Sequence, residues 1–281
     1  MDLSFFKKTR ILDAGMGQEL LARGLITKGT LWSATSLIDE KFNSLVVDTH
    51  LSSIRAGADV ILTNTFTTRR VRMVQNQVGD LFQFANQKAC ELAIKARELS
   101  KKNILIAGSL PAQNDTYQAD KRDQNIIEKD FFDQASIINP YIDFFYLDVI
   151  SSGREVEVAL NVIDKLNKPV LVGLHLKKNG MLPSGETITE IVKKYKNTKW
   201  LGVVSACVSL EIIEQTVDEL KSLDIPFGFK ANLWAVEEPL PVHRFNTAGY
   251  NEIGKNPNIT LGKREITGKV FCQFAKKINK K

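Results

Sequence analysis

Short apolar runs alternate with longer amphipathic stretches along almost the whole chain. Runs that are apolar at consecutive positions are typical of parallel strands buried on both faces. The stretches between them, such as FANQKACELAIKAREL and LEIIEQTVDELKSL, space their apolar residues three and four apart, as amphipathic helices do. The pattern predicts eight strands, at residues 11–14, 58–64, 104–109, 144–150, 169–176, 200–206, 226–232 and 258–262.

Eight strands that each precede a helical segment predict an α/β protein of the (β/α)₈ TIM barrel class. No linker rich in Pro, Gly or Ser divides the 281 residues, so residues 1–281 are predicted to form a single domain. A doubly wound open sheet has the same alternation with fewer strands and stays open as the alternative. The polar stretch 113–124 is predicted to be a surface loop near the barrel mouth.

Composition and charge narrow the class of protein. With 43% hydrophobic and 25% charged residues, the chain has the balance of a soluble globular protein. No apolar run is long enough to span a bilayer and the N-terminus does not resemble a secretory signal, so a cytoplasmic location without a membrane partner is expected. The net charge of +6 is scattered, without interleaved aromatic residues, and nucleic-acid binding is not expected. The three cysteines lie far apart, which predicts reduced thiols.

Polar residues follow several of the predicted strands. In a TIM barrel the active site lies at the carboxyl ends of the strands, so these residues are predicted to converge on one face. A structural role is open for each: the side chains of Asp13 and Asn64 could satisfy turns, and Cys207 could be a small core residue. An acid at position 148 is costly to bury without a partner. The candidates are Asp13, Thr63, Asn64, Thr65, Asp148, Cys207, Lys230, Asn232, Lys263 and Arg264.

Several motifs also carry a family resemblance. The stretch ILDAGMGQELLARG resembles the start of the homocysteine S-methyltransferase family. The segments HLSSIRAGADVILTNTF, IAGSLPA, DFFYLDVISSGREVEVAL, GVVSACVSLEII and KANLWA follow in the family's order. The resemblance runs from about residue 11 to residue 274 and is weaker towards the end.

The resemblance implies a zinc barrel that moves a methyl group from a sulfonium, ammonium or folate donor to the thiol of homocysteine. It implies that Asp13 and Asp148 receive the amino group of homocysteine, and that Thr63 or Thr65 lies beside the sulfur. Three cysteines hold the zinc in the family. Cys207 matches the first of them, whereas Lys263 and Arg264 stand where the other two are expected.

This replacement predicts that zinc is absent or weakly bound. One thiolate cannot hold tetrahedral zinc, and cations at the other two positions would repel it. His175 could pair with Cys207, but the pair would still be an incomplete ligand set. Cys272 lies between Phe271 and Phe274 in a predicted helix, where packing is the simpler interpretation.

Three hypotheses for the function follow. The first is a divergent methyltransferase that methylates a thiol amino acid without tight zinc, using Cys207, Lys263 and Arg264 as catalytic residues. The second is a repurposed barrel that binds or transforms an anionic small molecule through Lys230, Lys263 and Arg264, since an Arg fork suits carboxylate or phosphate. The third is a family member that binds without catalysing, since a fold alone does not determine function.

Overall fold

Six parallel strands form one sheet in the computed structural model, which describes residues 3–13, 15–197, 199–232 and 268–280. The strands are β1 (Val60–Leu62), β2 (Leu105–Pro111), β3 (Phe144–Ile150), β4 (Val170–Leu174), β5 (Trp200–Val208) and β6 (Phe227–Ala231). The helices are α1 (Met16–Ala22), α2 (Thr35–Ile38), α3 (Asn43–Ala56), α4 (Arg70–Gln75), α5 (Phe82–Ser100), α6 (Gln124–Ile138), α7 (Gly153–Leu166), α8 (Ile188–Tyr195), α9 (Leu210–Lys221) and α10 (Gly268–Lys280). Short 3-10 helices lie at Leu3–Lys7, Trp32–Ala34, Glu40–Phe42, Gly79–Leu81 and Asn139–Tyr141.

The strands lie in the order in which they occur along the chain, from β1 to β6. A doubly wound sheet reverses its strand order at a switch point. No reversal occurs among the six described strands, so the alternative of an open doubly wound sheet does not fit them. The predicted α/β class with a parallel sheet is confirmed.

The sheet curls into a half-barrel. Val60 of β1 packs in one cluster with Leu201 and Val204 of β5. The same cluster includes Phe144 and Tyr146 of β3 and Leu171 of β4, so side chains from β1 to β5 share one apolar interior, as in a barrel.

A complete eight-stranded barrel is not established by the described residues. The predicted first strand is present only as a parallel bridge between Leu12 and Val60, which places this segment beside β1. The predicted eighth strand, at 258–262, lies outside the described residues. None of the helices in the described ranges is long and apolar enough to cross a membrane.

Side-chain caps start several helices, and two of these helices, α7 and α9, begin directly after a strand. Ser152 accepts a hydrogen bond from the backbone of Glu155 at the start of α7, and Ser209 caps α9 in the same way. Thr187 and Glu190 form a capping box at the start of α8. These caps satisfy backbone N–H groups that a helix leaves unpaired at its first turn. A short connection between strand end and helix keeps the carboxyl ends of the strands at one face of the sheet.

Candidate active site at the strand ends

An ion pair between a buried carboxylate and a partly exposed ammonium lies at the carboxyl end of β3. The ammonium Nζ of Lys230 lies 2.8 Å from Asp148 Oδ1 and 2.9 Å from Oδ2. Ser109 donates a third hydrogen bond to Oδ2 at 3.2 Å. The side chain of Asp148 is 3% exposed and that of Lys230 is 37% exposed. Burial disfavours the charged form of Lys230, but Asp148 and Cys207 together raise its pKa above the ordinary value, so Lys230 stays protonated.

The backbone is irregular next to Asp148 in β3 and at Cys207 in β5. The pairing register shifts between Leu147 and Ile150 in β3 and between Ala206 and Val208 in β5. The residues inside these bulges have positive φ, 65° at Val149 and 57° at Cys207. Such a conformation is uncommon for a non-glycine residue and unusual for a β-branched one. Bulges often re-aim side chains next to active sites, so the paired occurrence makes this end of the sheet the candidate functional site.

The thiol of Cys207 contacts a buried tyrosine. Its Sγ lies 3.1 Å from the hydroxyl of Tyr117, which belongs to the loop between β2 and α6. Burial raises the pKa of the Cys207 thiol, and the nearby Lys230 and Tyr117 oppose this only in part. Burial and the neighbouring Cys207 also raise the pKa of Tyr117 well above its ordinary value. Both groups are therefore neutral at pH 7.

His175 packs against Tyr117 beside Cys207. Its ring lies 4.5 Å from that of Tyr117, and its Nδ1 lies 3.2 Å from the carbonyl of Ala206. A carbonyl only accepts, so Nδ1 carries the proton and Nε2 presents a lone pair. Burial lowers the pKa of His175 to about 4, and the Ala206 carbonyl opposes this only in part. The imidazole is neutral under physiological conditions.

The predicted substrate threonines bond to each other and to the neighbouring strand. Thr63 Oγ1 and Thr65 Oγ1 are 2.8 Å apart, and Thr65 donates to the carbonyl of Ser109 at 2.5 Å. The backbone N–H of Ser109 donates to Thr63 Oγ1 at 3.1 Å. Asn64 donates to the Ser33 carbonyl and to Ser36 Oγ, both at 3.2 Å. These contacts hold the carboxyl end of β1 against β2 and against the segment that contains Ser33 and Ser36.

Asp13 faces the outer helix layer. Its Oδ2 lies 3.4 Å from Nδ1 of His50 in α3, and both side chains are almost fully buried. Burial raises the pKa of Asp13, while His50 opposes the rise. Asn232 follows β6, and its backbone N–H donates to the Val208 carbonyl at 2.7 Å. The predicted catalytic pair Lys263 and Arg264 lies outside the described residues.

Comparison with known proteins identifies the family. The sequence profile of the homocysteine S-methyltransferase family matches residues 10–254. The chain belongs to the homocysteine S-methyltransferase family. Homocysteine S-methyltransferase 2 of Saccharomyces cerevisiae is 25% identical over 252 residues, covering 77% of this chain and 73% of the yeast protein. The S-methylmethionine–homocysteine S-methyltransferase BHMT2 of Rattus norvegicus is 27% identical over 169 residues, and this match spans 43% of the rat protein.

Solved structures of the family share the fold. The metallated form of the homocysteine methyltransferase MmuM from Escherichia coli superimposes with a TM-score of 0.71, covering 80% of this chain and 85% of MmuM at 21% identity. The apo form of MmuM gives a TM-score of 0.57 at 19% identity. The half-barrel of the described residues is therefore the architecture of a homocysteine S-methyltransferase.

The donor atoms of this family member do not fit a zinc ion held by three thiolates. Of the cysteines, Cys90 is buried in the hydrophobic core on α5, and Cys272 is exposed on α10. Within the described ranges no group of three or more His, Cys, Asp or Glu is placed to hold a metal. Cys207 instead has an ammonium group in its neighbourhood, which raises rather than lowers the cost of adding a dication.

Sequence reasoning missed several residues of the site. Tyr117, Tyr146 and Ser109 line the same strand ends as the predicted residues. Lys230 Nζ lies 5.7 Å from the ring centroid of Tyr146, whose hydroxyl is buried without a hydrogen-bond partner among the described residues. Tyr117 had a signal, because it is the single aromatic residue in the polar stretch 113–124. The loop was predicted to lie on the surface, yet Tyr117 is buried.

Hydrogen bonds and ion pairs attach the 113–124 loop to α7 and α6. Ser152 Oγ donates to Glu155 Oε2 at 2.6 Å, and the backbone N–H of Asp120 lies 3.4 Å from the same oxygen. Arg122 pairs with Asp120 at 2.7 Å and with Asp130 at 2.8 Å. Beside this anchor is a cleft of about 590 Å³ lined by Asn114, Tyr117, Gln118, Ala119, Lys121, Arg122 and Pro183.

Glu155 should make stability depend on pH. Burial raises its pKa from 4.5 to about 7. The folded protein then binds this proton more tightly than the unfolded chain, so the contribution is complete below about pH 4.5 and is lost as the pH rises through about 7. We expect the free energy of unfolding to fall by on the order of 3 kcal/mol over this window relative to Glu155→Gln. Urea unfolding at several pH values measures it, and Glu157→Gln, exposed on the same helix, is the control. Equal pH profiles for wild type and Glu155→Gln would contradict the assignment.

Proposed function

We propose that this chain is a divergent methyltransferase that moves a methyl group from a sulfonium donor to the thiol of a homocysteine-like acceptor, without tightly bound zinc. The observation that carries the proposal is the cluster of Asp148, Lys230 and Cys207 at the strand ends, two of them at backbone bulges. Family membership supports the reaction class, and the position at the carboxyl ends of the strands supports the location.

The proposed reaction needs an acceptor sulfur with a negative charge. The acceptor sulfur attacks the methyl carbon, the bond from that carbon to the donor sulfur breaks, and its electron pair stays on the donor as a neutral sulfide. The S–H proton of the acceptor is released. Zinc supplies charge stabilisation to a thiolate where it is bound. In this chain the ammonium of Lys230 would supply a weaker field, as cations do beside activated cysteines.

The anion-binding alternative receives less support from the described residues. Lys230 is already paired with Asp148, so the pair carries no net charge and can bind an anionic group only at short range, through the N–H that Asp148 leaves open. The other two cations of that hypothesis, Lys263 and Arg264, lie outside the described residues. A non-catalytic family member remains an outcome of the experiment below.

The proposal predicts slow thiol methylation that does not depend on added zinc. Purified protein is incubated with S-methylmethionine, S-adenosylmethionine or betaine and a panel of thiols comprising homocysteine, N-acetylhomocysteine and 4-mercaptobutanoate, before and after dialysis against a chelator. We expect a methylated thiol from at least one donor, unchanged by the chelator, and well under one zinc per chain by metal analysis. Stoichiometric zinc that resists the chelator would refute the zinc part. No methylated thiol with any donor would refute the methyltransferase.

A further inference from the structure

Asp148 has little capacity left for a ligand. A carboxylate offers about four lone-pair sites on its two oxygens. Lys230 takes one site on each oxygen and Ser109 takes a further site on Oδ2. The side chain is 3% exposed, so a ligand reaches it only by displacing Lys230.

Lys230 is fixed in place by its strand and its neighbours. It pairs in register with Ala206, and its ammonium lies over the ring of Tyr146. An ammonium has three N–H groups, and the contacts with Asp148 use at most two of them. No other acceptor binds the third within the described ranges, and more than a third of the side chain is exposed. As far as the described residues show, this N–H group is available to an anionic atom at the strand ends.

Among the described residues, no exposed carboxylate lies beside this pair to bind the ammonium group of a ligand. Asp13, the other acid predicted to bind substrate, has both oxygens buried and faces His50 at 3.4 Å. An ammonium placed near Asp148 would also lie beside the like charge of Lys230. Like charges at short distance in a partly buried site cost enough to exclude a ligand.

We infer that Lys230 occupies, as a built-in ammonium, the place that an amine of the acceptor would take at Asp148, so that the acceptor is a thiol carboxylate without a free amine. This inference rests on the proposed function and names its acceptor class. The acceptor's carboxylate pairs with the remaining N–H of Lys230, and its thiol receives the methyl group. The bonds made and broken are those given above: the acceptor gains an S–CH₃ bond and releases its thiol proton, and the sulfonium becomes a sulfide.

Two thiols that differ only in the amine test the inference. Homocysteine and 4-mercaptobutanoate have the same chain, carboxylate and thiol. We expect the wild type to use 4-mercaptobutanoate with a kcat/KM about tenfold or more above that for homocysteine, since one unfavourable charge contact is removed. Lys230→Met should reverse the preference, because it frees Asp148 for the amine, and Lys230→Arg should retain it. Lys165→Met on α7, which removes an ion pair with Glu128 on α6, should leave the ratio unchanged.

Binding measurements separate this inference from the proposed reaction. Calorimetric titration with each thiol, without any methyl donor, should show the same order of affinity and the same reversal in Lys230→Met. A preference for homocysteine in the wild type, or the same ratio in wild type and Lys230→Met, would overturn the inference even if methyl transfer occurs. Absence of turnover combined with the predicted binding reversal would refute only the reaction. Thermal melting of each variant confirms that it is folded. If Lys230→Met does not fold, the preference of the wild type between the two thiols still tests the inference.

Discussion

Asp148→Asn should reduce kcat/KM for methyl transfer by about a hundredfold or more, equivalent to roughly 2.7 kcal/mol of transition-state stabilisation. The carboxylate positions the ammonium of Lys230 through two contacts of 2.8 and 2.9 Å and raises its pKa. An amide retains the size of the side chain but offers only one oxygen and no charge. Lys230 would lose its fixed position and its preferred protonated state. Steady-state kinetics with the best donor and acceptor pair measure the loss.

The same substitution should affect stability only slightly. Lys230 is more than a third exposed, so solvent compensates much of the lost attraction, and we expect a decrease of about 1 kcal/mol in the free energy of unfolding. Asp164→Asn provides a matched control, because Asp164 forms an exposed pair with Lys199 on the outer helix layer. That variant should keep full activity. Activity of Asp148→Asn within threefold of wild type would show that the ion pair is structural.

Gly173→Ala should lower the free energy of unfolding by about 2–3 kcal/mol, because it overpacks the barrel interior. A Cβ at position 173 of β4 would lie 2.5 Å from the Leu147 carbonyl oxygen and 2.7 Å from the hydroxyl of Tyr146. The first contact is with the backbone of β3, which cannot move without disturbing the strand that ends in Asp148. We therefore expect weaker methyl transfer as well. Urea unfolding and activity of the same preparation measure both effects.

A second glycine gives the comparison for this test. Gly268 is the first residue of α10, and a Cβ there would meet no atom of the described residues within 4 Å. Gly268→Ala should therefore change the free energy of unfolding by less than about 0.5 kcal/mol, with a small gain from the reduced freedom of the unfolded chain. If Gly173→Ala were as stable as Gly268→Ala, the close approach of β3 and β4 would not be a rigid feature of the site.

The ion pair also bears on the proposal that this chain does not bind zinc tightly. A divalent ion beside Cys207 would have to share the site with a lysine whose charge is fixed by a buried carboxylate. Neither Cys90 nor Cys272 is placed to add a second thiolate. The residues at the strand ends instead form a neutral pair and a neutral thiol, which suits recognition of a ligand by hydrogen bonds more than tight metal binding.

The sequence by itself determined the class of fold and the family. Its periodicity gave the order of strands and helices, and β3 was predicted at its observed bounds, 144–150. Its strand pattern predicted Asp148, Cys207 and Lys230 at strand ends. The family resemblance predicted that Lys263 and Arg264 stand at the positions where thiols are expected. These features are local, since hydrophobic periodicity and short motifs are read from neighbouring residues.

Only the tertiary structure decided which of these residues meet. Lys230 pairs with Asp148 across 82 positions of sequence, and Tyr117 reaches Cys207 across 90. The predicted threonines proved to bond to each other, and Asp13 proved to face His50. Such pairs depend on strand register and on the bulges at Val149 and Cys207, which shift side chains between faces of the sheet. A one-residue irregularity leaves no trace in the spacing of apolar residues. The sequence therefore showed that Lys230 carries a charge, but it did not show which residue Lys230 pairs with.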